Sequence, residues 1–456
     1  MESSSKSRLY PEPFKSEPPV KDETVKRLFL GRALALKLGT EALGTFWDYD
    51  GKRWRDGDKR PWIIHGESRS GKSHLARRIL IELQERHPDI VTLAIQARER
   101  NSAQYVMGEL FRELCHEFLT RVHGPQVPDG LLLDPMVRNA VHVISKLEIF
   151  EDGRDSVTVE DISSWKEGAE GSGEYAVPAI FKLLSRFATE KSGGTKQTVT
   201  LKRPDVAALA EYCVIILDTL WRTGLIKEVV ILVDDVDLLE SKRDIIFNIP
   251  EQRAKLLQAL NTVHQAPCVD VVVTSRSWFA LYRREFAVLV DLLQKNHIFS
   301  ADQLIAIHDI RHEEYLDKAP CKFLNPNALA TLAEDVKFIP GVFLQHLSQA
   351  YEGYKSEEGW VEHDYEWFLA IISDDFGWKK TIYPDATGRI LDAVRNGRYQ
   401  LEVDKGDILA PLDNDYVYQS FHTENSYSIT PLLRKILERL EPAKPARATR
   451  RKKAKP

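Results

Sequence analysis

Cysteine is scarce in this chain, with four in 456 residues. Cys115, Cys213, Cys268 and Cys321 are scattered, and no two stand as C-x-x-C. That spacing supplies neither a disulfide frame nor a set of zinc ligands, and it reads as reduced thiols inside apolar helix or strand patterns. Long hydrophobic runs are lacking too. Nothing approaches the roughly 20 apolar residues of a membrane span, and no charged-then-apolar signal opens the chain. The expectation is a cytoplasmic protein with no membrane partner. No nuclease, protease or deaminase constellation is present, and His65, His74 and His264 are isolated, which suits structural histidines better than ligands. What remains is a globular composition, 43% hydrophobic and 29% charged, long enough for about two to three domains with filled cores.

Charge is unevenly placed. The stretch "EPAKPARATRRKKAKP" from Glu441 holds seven Lys/Arg against one acid. It contributes +6 to a formal net charge of −5, which leaves −11 on residues 1–440. So acidic a body is a poor footprint for nucleic acid, whereas the tail suits either a salt-sensitive phosphate contact or a solubilising disordered end. At the other terminus "MESSSKSRLYPEPFKSEPPVKDE" is rich in Pro, Ser and charge and reads as disordered, either a floppy end or a docking segment.

One octapeptide carries the chemistry. "GESRSGKS", Gly66 to Ser73, fits G-x-x-x-x-G-K-[ST] and lies between "RPWIIH", a short buried strand, and "KSHLARRILIELQERH", an amphipathic helix. In a strand–loop–helix of this kind the backbone N–H groups and the helix start face phosphates. Gly66, Glu67, Ser68, Arg69, Ser70, Gly71 and His74 then form the nucleotide cradle, Lys72 reaches the β- and γ-phosphates, and Ser73 offers its hydroxyl to Mg2+. A second segment, "EVVILVDDVDLL", carries five consecutive apolar residues, Val229 to Val233, as a parallel strand buried on both faces does. Asp234 and Asp235 emerge at its C-terminal end, where ligands bind in open α/β sheets. Asp234 is the expected Mg2+ ligand, through water, Asp235 the residue that orients or deprotonates the attacking water, and Asp237 an outer acid. A third strand, "VDVVVTSRS", ends in Thr274, Ser275 and Arg276. The Arg276 guanidinium is placed to read the γ-phosphate beside the P-loop strand, or else is a solvated strand-end arginine.

"GESRSGKS", "ILVDDVD" and "VVVTSRS", in that order, resemble the P-loop, Walker B strand and sensor strand of the AAA+/STAND ATPases, in the branch similar to origin-recognition initiators and transposition-regulator ATPases. "RLFLGRALAL", with Gly31 and Arg32, resembles the motif that precedes the P-loop in that branch and lines the adenine pocket. The resemblance covers roughly residues 25–123 and 205–350. It implies an α/β fold: a parallel-sheet P-loop (AAA+-like) nucleotide domain, a helical lid and a C-terminal winged-helix-like domain. The expected boundaries are a disordered segment 1–24, a P-loop ATPase domain 25–310 with an insertion at about 124–204, a lid 311–358, a winged-helix-like domain 359–440 and a basic disordered tail 441–456.

Three features depart from that pattern. Asp235 stands where the group has a Glu, one methylene longer, which points to slow hydrolysis and a switch role. "EDVKFIPGVFLQHLSQAYEGY" resembles the lid helix, with Pro340-Gly341 similar to the STAND turn, yet no Arg opens it, so Arg276 is expected to take over phosphate reading. Between Gly124 and Arg203 the chain alternates short helical patterns with Gly-rich breaks, either a partner-binding insertion or a tolerated loop. After the sensor strand, "WFALYRREFAVLVDLL" reads as a helix carrying Arg283 and Arg284, either arginine fingers for a neighbouring subunit or two solvated side chains.

From about Gly359, "HDYEWFLAIISDDF" and "ATGRILDAVRNG" read as helices, "DNDYVYQSF" and "NSYSIT" as a hairpin, and "PLLRKILERLE" as a closing helix with Pro431 in its first turn. "RYQLEVDKGDILAPL" is neither basic nor helical, so no recognition helix declares itself. The resemblance implies ATP and Mg2+ as cofactors, a homo-oligomer, an effector protein encoded nearby and duplex DNA as partners, in bacterial mobile-element control or anti-phage defence. Two other readings stay open: a DNA-binding protein in which ATP is structural, and a nucleotide-binding signalling scaffold without turnover.

Overall fold

A computed structural model describes residues 21–44, 60–67, 69–97, 102–122, 141–142, 145–150, 154–160, 188–192, 198–237, 249–266, 268–276, 278, 282–316, 322–354, 361–398, 400–402, 416–419 and 426–440. Ser68, residues 1–20, much of the 124–204 insertion, residues 403–415 and the basic tail lie outside the described residues. The chain divides into two compact units: residues 34–65 and 72–291 form one, and residues 1–33, 66–71 and 292–456 the other.

The first is the sheet unit. It holds α2 (Ala33–Gly44), β1 (Trp62–His65), α3 (Lys72–Arg86), β2 (Ile90–Gln96), α4 (Ala103–Val122), β3 (Ser156–Glu160), β4 (Ala188–Ser192), β5 (Thr198–Lys202), α5 (Val206–Arg222), β6 (Glu228–Asp234), α6 (Ile249–His264), β7 (Val269–Ser275) and β8 (Ala287–Asp291). Five strands run parallel in the order β2-β6-β7-β1-β8. Every residue of β6 and of β7 is buried, as their unbroken β-branched runs require of central strands. The register sets Val233 of β6 beside Val273 of β7, and Ile64 of β1 beside Thr274. All three strands therefore end on one edge, with their polar residues together. Helices α4, α5 and α6 pack against one another and share a single apolar core with the sheet, including Phe111, Phe150, Ile216, Leu260 and Trp278.

Two expectations need correction. The segment after the sensor strand is not one helix: residues 282–285 form a turn and Ala287–Asp291 is strand β8, paired with β1. An apolar run as short as "AVLV" serves a helix or a strand, and here the free edge of β1 decides, because strand pairing satisfies backbone groups that a helix would leave exposed. Arg283 and Arg284 therefore lie exposed in a turn. In the insertion, the described residues include a three-stranded antiparallel sheet, β3-β5-β4, where helical patterns were expected. The segments "SVTVE" and "TVTLK" are rich in β-branched residues, which favours strands.

The second unit is mostly helical: α1 (Asp22–Leu28), α7 (Ala301–Tyr315), α8 (Pro326–Asp335), α9 (Pro340–Tyr354), α10 (Tyr365–Ile382), α11 (Pro384–Arg395) and α12 (Pro431–Leu440), with a small antiparallel sheet of β9 (Gln400–Glu402), β10 (Val417–Gln419) and β11 (Ser426–Ile429) in the order β10-β11-β9. Its helix starts are well marked. Ser300 and Gln303 form a capping box at α7, Asn325 caps α8 with Pro326 at its first position, and Asp364 caps α10. One core runs through the unit from Phe299 through Phe343 and Phe368 to Tyr416 and Leu437. No helix among the described residues is long and apolar enough to cross a membrane.

Candidate functional site

The polar ends of β6 and β7 bring acidic and hydroxyl side chains together. The chain leaves β6 through Asp235, which adopts the left-handed conformation with φ +55°. Its N–H donates to Thr274 Oγ1 at 2.8 Å, and the Thr274 hydroxyl in turn donates to Asp234 Oδ1. One strand over, the Ser275 hydroxyl donates to Asp237 Oδ1 at 2.8 Å and accepts from Trp278 N–H at 2.9 Å, while Arg276 N–H donates to Asp237. The sensor strand thus orders two carboxylates, of Asp234 and Asp237, and the backbone of Asp235 between them. Asp234 itself is 2% exposed, and its Oδ2 is buried without a hydrogen-bond partner among the described residues.

Lys72, at the first position of α3, is buried beside these acids. Burial pushes its ammonium below the usual lysine range, Asp237, Asp235 and Asp234 pull it back up, and Arg276 pushes it down. The same crowding acts on Asp235, whose carboxyl is raised to about 7, first by burial and next by Asp234, against the opposing pull of Lys72 and of the Ser73 hydroxyl. Ser73 Oγ lies 3.5 Å from Asp235 Oδ1. At the neighbouring strand end His65 Nε2 lies 3.3 Å from Asp291 Oδ1, and burial keeps the imidazole below its usual range.

Among the described residues no three His, Cys, Asp or Glu side chains converge as a ready-made metal cage. The donors that do meet, a serine hydroxyl and carboxylates with one oxygen unsatisfied, are hard oxygens. They fit Mg2+, which keeps most of its waters and takes one or two carboxylates plus substrate phosphates.

In the second unit the loop residues Gly66, Glu67, Arg69, Ser70 and Gly71 are shaped for close approach. Gly71 has φ +86° and Arg69 φ +58°. A Cβ on Gly66 would lie 2.8 Å from Leu292 Cβ and 3.0 Å from Ser70 Oγ, so only glycine fits. Ser70 Oγ is buried with no hydrogen-bond partner among the described residues. Gly31 and Arg32 are both left-handed, φ +72° and +56°. The Arg32 guanidinium lies 4.5 Å over the Phe299 ring, its Nε and Nη1 are buried without hydrogen-bond partners among the described residues, and burial lowers its pKa to about 9. A Cβ on Gly31 would come within 2.8 Å of Phe299 Cε1.

The structure therefore brings Lys72, Ser73, Asp234, Asp235 and Arg276 together in one unit, and gathers Gly31 with Arg32, and Gly66 with Ser70 and Gly71, in the other. His74 lies half-buried in the first turn of α3. Arg283 and Arg284 stand apart in their exposed turn. Thr274 and Phe299 carry roles that sequence reasoning did not assign. A hydroxyl at the end of an apolar strand was the only signal for Thr274, and Phe299 had none.

A parallel sheet whose first strand feeds a glycine loop and a lysine-led helix, with a second buried strand ending in acids beside that lysine, is the arrangement of a P-loop nucleotide domain. No family model matches the chain, and no curated protein matches it. Among solved structures it is similar to a Walker-type ATPase of Pyrococcus abyssi, with 12% identity and TM-score 0.37 over 93% of this chain and 99% of that one. It is also similar to the ORC2 protein of Aeropyrum pernix, solved as ADPNP–ADP complexes, with 12% identity and TM-score 0.39 over 88% and 82% of the two chains.

Proposed function

We propose that the protein is a Mg2+-dependent P-loop ATPase that works as a molecular switch. The observation that carries this reading is the buried Lys72 beside Asp234, whose Oδ2 has no hydrogen-bond partner among the described residues. Bound Mg2+ would neutralise charge on the phosphate oxygens. Ser73 and Asp234 are the residues to hold it, Lys72 the residue to grip the β- and γ-phosphates, and Arg276 the residue to stabilise the charge developing on the transferred group. Asp235 accepts a proton from the attacking water. Gly31, Arg32 and Phe299 supply the base-binding side, with the backbone of residues 66–71 cradling phosphate.

The motif resemblance supports a role in controlling a DNA-related effector in the cytoplasm of a bacterium, in mobile-element or anti-phage functions, through assembly of several copies or a change of conformation. Arg283 and Arg284, exposed in their turn, are the residues to reach a neighbouring copy's nucleotide. The hairpin and helices of residues 359–440 serve as a winged-helix-like module for the effector or for duplex DNA. The test is binding and turnover of ATP with Mg2+ by the wild type, Lys72→Ala and Asp235→Asn. The reading predicts that Lys72→Ala loses binding and that Asp235→Asn binds but does not turn over. Near-normal affinity in Lys72→Ala sinks the site assignment. Persistent absence of turnover in a wild type that binds ATP would favour the signalling scaffold, for which the short Asp235 side chain is the supporting feature.

A further inference from the structure

The turn between α8 and α9 is unusual for its residue types. Lys337 and Phe338 are both left-handed, φ +53° and +59°, a conformation that disfavours side chains. The N–H groups of Lys337 and Phe338 close on Glu334 O and Ala333 O at 3.0 and 2.9 Å. The first turn of α9 then meets the phosphate loop within the same compact unit. Gly341 N–H donates to Arg69 O at 2.9 Å, and one turn further along α9 Gln345 Oε1 accepts from Arg69 Nη1 at 3.0 Å. The fit tolerates no side chain at Gly341. A Cβ there would lie 2.5 Å from Arg69 Cβ and 2.7 Å from Arg69 O. The peptide unit between Arg69 and Ser70 is consequently held at both ends, because Ser70 N–H donates to Glu67 O at 3.2 Å while the carbonyl takes Gly341.

We propose that α9 sets the shape of the phosphate loop, with Gly341 and Gln345 as positioning residues that hold Arg69 in its left-handed conformation. A planar peptide cannot turn its carbonyl without turning its N–H, so the two bonds together fix the plane of the Arg69–Ser70 peptide, and with it the path of the loop backbone, before any phosphate arrives. Affinity for polyphosphate then depends on where α9 stands, and by linkage a bound nucleotide favours the clamped position of α9. This supplies the coupling between nucleotide and helical unit that an arginine at the start of α9 would otherwise provide. The inference rests on the nucleotide reading above.

The test is titration of the full chain with a fluorescent N-methylanthraniloyl ADP and Mg2+, alongside melting without nucleotide. Gln345→Ala removes the acceptor and should weaken binding by about three- to tenfold. Its nucleotide-free melting temperature should match the wild type. Gln345→Glu keeps an acceptor for Arg69 and should restore affinity. Gly341→Ala drives a methyl into the Arg69 backbone and should cost about tenfold or more. If that variant does not fold, the Gln345 pair decides. Wild-type binding with Gln345→Ala within twofold of it overturns the inference alone, as does a loss that Gln345→Glu fails to restore. No binding by the wild type overturns the nucleotide reading, and the inference with it.

Discussion

Each unit surrounds a buried carboxylate with a lysine, and the two arrangements differ in how fully the acid is satisfied. In the helical unit Asp335 accepts the Tyr365 hydroxyl and Lys435 Nζ, the latter at 2.8 Å, and Lys435 also lies 5.0 Å over the Tyr365 ring. One acid thereby ties α8, α10 and α12, and burial together with Asp335 raises the Tyr365 phenol above its usual range. At the end of β6 three carboxylates crowd Lys72, and Asp234 Oδ2 is left with no partner among the described residues. The first cluster ties three helices together, whereas the second leaves an acceptor unmet among the described residues, which is the feature the proposed Mg2+ site explains.

That contrast can be broken at either side. The largest effect is expected from Lys72→Ala, which should lower ATP affinity by at least about 100-fold in calorimetric titration. Next comes Asp335→Ala, which should cost about 2 kcal/mol in urea unfolding while ATP affinity stays at the wild-type level, the cost being moderate because Lys435 can turn to solvent. If Asp335→Ala instead abolished nucleotide binding, the division into a structural and a functional cluster would be wrong.

The titration of Asp235 comes third. Its folded-state value of about 7 lies above the ordinary 3.8. Between those values the folded chain holds a proton that the unfolded chain has lost, so nucleotide-free stability falls as pH rises through that window, by up to about 1.4 kcal/mol per pH unit. Asp235→Asn should flatten the profile, and a slope that survives the substitution assigns the proton elsewhere. Smallest is Thr274→Val, which deletes the hydroxyl joining Asp234 to the Asp235 N–H. About 1 kcal/mol of stability should be lost, with turnover falling more than ATP affinity. An unchanged turnover would show that the two acids orient without the bridge.

Much of the site was legible because its signals are local. Val229 to Val233 and the run ending at Thr274 are continuous and β-branched, so their burial and the emergence of acids at one end follow from composition alone. The glycine loop is equally local, since Gly66 and Gly71 answer to the backbone at their own positions. Strand β8 was not legible, because its apolar run suits a helix until β1 offers an edge. Nor was Phe299 under Arg32, a contact between distant segments with no pattern in common.

By itself the sequence determined the strand–loop–helix, the acidic strand end and the helix caps, since each depends on side chains within a few residues of one another. Only the tertiary structure decided that Thr274 bridges two acids, that Asp235 is raised to about 7 and that Gly341 grips Arg69. Those facts depend on strand register and on the packing of helices remote in the chain, where hydrogen-bond geometry and desolvation act through space and leave no periodic trace.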